Sequence, residues 1–115
     1  MKVITEEIYD EVVENGYAIL PKAIGKDLAS DLRSRLAVLV QAQRINQTDL
    51  TASDDYMVHN PMFLDSAFMA LLEHPSMVEV FDTFLSSTSI IYACTTSSMP
   101  AGSSNYSNRI HVDSP

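Results

Sequence analysis

Residues Asn108-Arg109-Ile110-His111-Val112-Asp113-Ser114-Pro115 carry a His-x-Asp pair. In a strand, side chains alternate between faces, so His111 and Asp113 share one face and Val112 takes the other. Their Cα atoms then lie roughly 6.6 Å apart, two strand rises. From there an imidazole nitrogen and a carboxylate oxygen can converge on one ion. Two histidines and a carboxylate on one side of an iron, with open positions opposite, form the facial arrangement of non-haem Fe(II) oxygenases. The same pair also fits an ordinary edge-strand histidine beside a solvated aspartate, because the motif is short and arises by chance.

Composition narrows the setting. The chain has 115 residues, 46% of them hydrophobic, which suits one small folded domain. Seven basic residues stand against 15 acidic ones, a formal charge of −8. That balance disfavours nucleic acid and anionic membrane, which are bound through basic patches. The single Cys94 excludes an internal disulfide framework and a cysteine-based zinc ribbon. In its apolar run it reads as a buried, inert thiol. The first residues turn acidic before an apolar run develops, so they do not read as a signal peptide. No stretch approaches the ~18 apolar residues of a membrane span. A cytoplasmic protein is the expectation.

Working back from the motif, Tyr106 to Asp113 reads as a strand, and the loop Pro100–Asn105 joins it to another. That earlier strand, Ser89 to Ser98, is rich in β-branched residues, apolar at first and polar later. On it Thr95, Ser97 and Met99 share one face, and Thr96 and Ser98 the other. Two short helices precede it: Ala67 to Glu73 after a cap at Asp65 or Ser66, and Met77 to Leu85 after a cap at Ser76. Phe68, Leu71, Leu72, Val80, Phe81, Phe84 and Leu85 are their core candidates. The polar stretch Asn46 to Asp55 reads as a loop closed by Asn60-Pro61. His59 beside that turn is a candidate to face a substrate or act as a ligand, alongside an ordinary structural role.

The strongest helix runs from about Lys26 to Ile45. Leu28, Leu32, Leu36, Leu39 and Val40 recur at spacings of three and four, which makes one apolar face. Near the start, Thr5 caps a short helix ended by Asn15-Gly16, with Glu6 and Glu7 in its first turn. Tyr17 to Leu20 reads as a short strand stopped by Pro21. There is no internal repeat, and no phosphate-binding glycine loop, zinc-protease motif or hydrolase elbow.

The succession of a helix, Gly16–Pro21 (GYAILP), a long helix, His59–Pro61 (HNP), Leu71–Phe81 (LLEHPSMVEVF), a strand and Arg109–Pro115 (RIHVDSP) resembles the N-terminal part of the phytanoyl-CoA dioxygenase family. The resemblance covers nearly the whole chain and rests on order and spacing rather than on one motif. It implies an α+β fold, with N-terminal helices packed on part of a double-stranded β-helix (jelly-roll) core. It implies an Fe(II)- and 2-oxoglutarate-dependent oxygenase, a hydroxylase of a small-molecule or acyl substrate, with molecular oxygen consumed. His111 and Asp113 match the first two iron ligands. The strand bearing Thr95 and Ser97 is expected beside the metal, with both hydroxyls contacting 2-oxoglutarate. Related halogenases replace the carboxylate with a small residue, so Asp113 favours oxidation without halide.

The family's third ligand, a second histidine, and its 2-oxoglutarate-binding arginine both lie downstream of the matched segment. The expectation is therefore a single incomplete domain, 1–115, that binds iron weakly and does not release succinate by itself. Oligomeric state is left open. The competing expectation is a non-enzymatic acidic interaction module in which the His-x-Asp pair is incidental.

Overall fold

A computed structural model describes residues 2–46, 56–104 and 106–113, with only the main chain of Tyr106. It holds four α-helices and a two-stranded antiparallel sheet: α1 (Glu6–Asn15), α2 (Lys26–Asn46), β1 (Met57–His59), α3 (Ser66–Leu72), α4 (Pro75–Phe84) and β2 (Thr95–Ser97). Pro61–Phe63 and Tyr106–Asn108 form single 3-10 turns. No described helix is long and apolar enough to cross a membrane.

The helices start and stop where local chemistry directs. Thr5 accepts from the Ile8 amide at the start of α1, and Gly16 closes it with a left-handed φ of 82°. Asp65 caps α3 by accepting from the Ala67 amide. Its carboxyl is held below the usual range by that amide and by the Arg35 guanidinium. Arg35 also pairs with Asp31 one turn back on α2, at 2.8 Å, so this surface network ties α2 to the start of α3. The cap expected at Ser76 is instead His74, whose Nδ1 accepts from the Ser76 amide at 3.3 Å. Pro75 explains the difference: its fixed φ suits a first helical position and it has no N–H to satisfy.

The core is small. Ile4, Leu32, Val40, Met57, Val58 and Phe68 are its buried hydrophobic residues. Leu28, Leu36, Leu39, Phe81 and Phe84 are only half-buried, and Leu85 is exposed, contrary to its place among the core candidates. Tyr9 of α1 stacks on Phe84 of α4, with ring centroids 5.5 Å apart. The Cα radius of gyration is 16.0 Å, against about 13 Å for a compact domain of this length.

The sheet differs from expectation in three places. Tyr17 to Leu20 is irregular, with Tyr17 and Ile19 exposed and no partner strand among the described residues. Of Ser89 to Ser98 only Thr95–Ser97 is strand, because its partner β1 is three residues long. The register is Met57↔Ser97, Val58↔Thr96 and His59↔Thr95. The strand expected over 106–113 is a 3-10 turn followed by irregular chain. No jelly roll is shown. Residues 47–55, most of the expected loop 46–55, lie outside the described residues.

Side chains secure the sheet and the first residues. Gln43 of α2 donates its Nε2–H to the Met57 carbonyl at 2.6 Å, on the edge of β1 away from β2. The Arg44 guanidinium lies 4.4 Å from the Tyr56 ring centroid and donates to its hydroxyl. Glu79 of α4 accepts from the Ile4 amide at 2.7 Å and from the Val3 amide at 2.8 Å.

These amides hold the Glu79 carboxyl below its usual range, the bond from Ile4 being the larger cause and that from Val3 the next. A depressed carboxyl pKa stabilises the fold fully above the unfolded value, about 4.3. That contribution is lost as pH falls through the lower folded value. Glu79→Gln is therefore expected to speed hydrogen exchange at Val3 and Ile4 at neutral pH and to remove the acid dependence there. Exchange unchanged by the substitution would show that Ile4 burial alone holds the segment.

Candidate functional site

The structure brings the sequence-nominated residues to one concavity. His59, Thr95, Ser97, His111 and Asp113 all line it, together with apolar side chains from α3, α4 and the segment before β2. Its volume is about 1030 Å³, at the upper end of small-molecule pockets, which run to about 1,000 Å³. Leu72 and Phe81 line it from α3 and α4, and Ile90, Ile91 and Tyr92 from the chain entering β2. The helical spacing marked Leu72 and Phe81 as apolar-face residues, but gave no sign that they border the same space as the His-x-Asp pair.

Register places His59 against Thr95. The two are paired across β1 and β2, and His59 Nδ1 lies 3.1 Å from Thr95 Oγ1. Ser97 Oγ lies 2.8 Å from Ser107 Oγ, which ties the turn before the motif to the end of β2. Neither contact has a distinct sequence signal. Cys94 is half-buried and lines the same concavity. His74, used as the α4 cap, does not line it.

His111 and Asp113 converge without a strand. The His111 Nδ1 is 2.6 Å from the Arg109 carbonyl oxygen. A carbonyl can only accept, so Nδ1 carries the proton. This leaves Nε2 directed at Asp113 Oδ1, 3.2 Å away. In a neutral imidazole that contact sets a lone pair against an anionic oxygen. A metal ion placed between the two atoms would make that contact attractive.

The spacing also suits a metal. Two ligands at right angles with bonds of about 2.1 Å lie roughly 3.0 Å apart, close to the 3.2 Å observed. A carbonyl holding the other ring nitrogen is the usual outer support of a metal-bound histidine. The Arg109 carbonyl had no sequence signal, since every residue carries one. The Asp113 side chain is 94% exposed and that of His111 30%. Among the described residues no group of three His, Cys, Asp or Glu side chains could hold a metal ion. The pair therefore stands as two donors.

Comparison with family models, curated proteins and solved structures returns no match to this chain.

Proposed function

We propose that the chain forms part of a 2-oxoglutarate-dependent, non-haem Fe(II) dioxygenase acting on a small-molecule or acyl substrate, with His111 and Asp113 as two iron ligands. The observation that carries this reading is the His111–Asp113 geometry: Nδ1 committed to a carbonyl and Nε2 facing a carboxylate oxygen at 3.2 Å. In this reading β1 and β2 belong to a jelly-roll sheet. A third ligand and a cation for the distal carboxylate of 2-oxoglutarate are also required, and the described residues supply neither.

Bound iron with its cosubstrate would supply the oxidation of a substrate C–H bond by oxygen. The chain's own residues bind and orient. Thr95 and Ser97 offer hydroxyl donors to the carboxylates of 2-oxoglutarate from the β2 side of the concavity. His59, held by Thr95, faces the substrate. Leu72 and Phe81 give the concavity an apolar wall on the helix side.

The test is a titration with Mn(II), a paramagnetic stand-in for Fe(II), followed by NMR of the three histidine rings. Weak binding that broadens His111 at lower metal concentration than His59 or His74 supports the reading. Equal broadening of all three, or none, overturns it.

A further inference from the structure

We infer that the segment 89–94 is a self-pairing edge through which two copies of this chain associate about a two-fold axis. No Asp, Glu, Lys, Arg or His occurs between residues 83 and 108, in a chain of formal charge −8. Two such acidic chains can approach here without placing like charges against each other, and an interface core is depleted of charge in this way. The apolar side chains of this neutral segment face solvent: Ile90 is 86% exposed and Tyr92 96%.

The main chain is equally open. Among the described residues, no hydrogen bond engages the backbone of residues 90–93. The Asn60 amide donates to the Cys94 carbonyl and the Ser98 amide to the Tyr56 carbonyl, which turns the main chain of even-numbered residues 94, 96 and 98 toward β1. Continued back along the chain, that alternation would turn the main chain of Ile91 and Ala93 away from β1, where a new strand can pair.

The sequence is complementary to itself. Antiparallel pairing centred on Ile91 sets Ile90 opposite the partner's Tyr92, and Tyr92 opposite the partner's Ile90. An aromatic facing a β-branched residue is a favourable cross-strand pair, and the two-fold makes it twice.

Sedimentation velocity over a concentration series tests the inference. A monomer–dimer equilibrium is expected, tightening as salt screens the acidic charge elsewhere on the chain. Ile90→Lys with Tyr92→Lys should weaken dimerisation roughly tenfold or more. Helical circular dichroism should be kept, since both side chains are exposed. As a milder variant, Ile90→Thr should give a smaller loss. A monomer at every concentration overturns the inference, as does a dimer indifferent to both sets of substitutions. A ladder of larger species excludes the closed two-fold, and weakening by salt points to an ionic interface elsewhere.

Discussion

Phe68→Ala is expected to destabilise the fold by about 3–5 kcal/mol, the range for removing a large buried aromatic. Phe68 is only 4% exposed and stands at the centre of α3. Small domains of this length have about 5–15 kcal/mol in total. This chain belongs near the lower end, because only six hydrophobic side chains are buried among the described residues. The substitution should therefore leave a large unfolded fraction at room temperature, visible as lost helical signal and a urea midpoint shifted toward zero. The control is Phe63→Ala. Phe63 is 79% exposed, so its loss should fall within about 0.5 kcal/mol of zero. Equal effects at the two positions would mean that Phe68 does not pack in the core.

The second large effect is expected at His111 and Asp113, the proposed metal ligands. His111→Ala should take the chain from weak, site-specific Mn(II) or Fe(II) binding to none detectable. Loss of an outer support alone commonly lowers metal affinity 10–100-fold, so loss of one of two ligands should exceed that. Asp113→Ala should do the same, because the remaining imidazole would have no anionic partner. Arg109→Ala is the informative contrast. His111 Nδ1 is held by the Arg109 main-chain carbonyl, which alanine retains, so binding should persist. Binding abolished by Arg109→Ala but kept by His111→Ala would remove the pair from consideration as ligands. Chemical-shift changes of the remaining histidines would monitor the fold in each variant.

The sequence announces the helices best. The three-and-four spacing of Leu28, Leu32, Leu36 and Leu39 defines α2 to within a residue at its C-terminal end. Thr5 and Gly16 mark both ends of α1 because capping is local chemistry. Strands are read less well because pairing is not local. Met57-Val58-His59 has no strand period to speak of, yet it becomes β1 because β2 lies beside it and α2 covers its other edge. Residues 90–93 have strong β composition but no backbone partner among the described residues, so composition alone does not make them strand. At the candidate site, His111 and Asp113 stand out by type and spacing. Their actual approach uses a bend at Arg109 rather than strand alternation. The Oγ–Oγ contact of Ser97 with Ser107 depends on a turn that residue type does not specify.

The hydrogen bond from Gln43 to the Met57 carbonyl has a consequence for how the sheet can grow. With Gln43 of α2 holding the Met57 carbonyl on the far side of β1, the described residues give the sheet valence one: a lateral edge next to β2 on which another strand can be added. Units of valence one form pairs and then stop, whereas units with two open edges propagate into fibres. Gln43 thus acts as a chain terminator in the polymer chemist's sense. Its replacement would alter not how tightly copies join, but how many can.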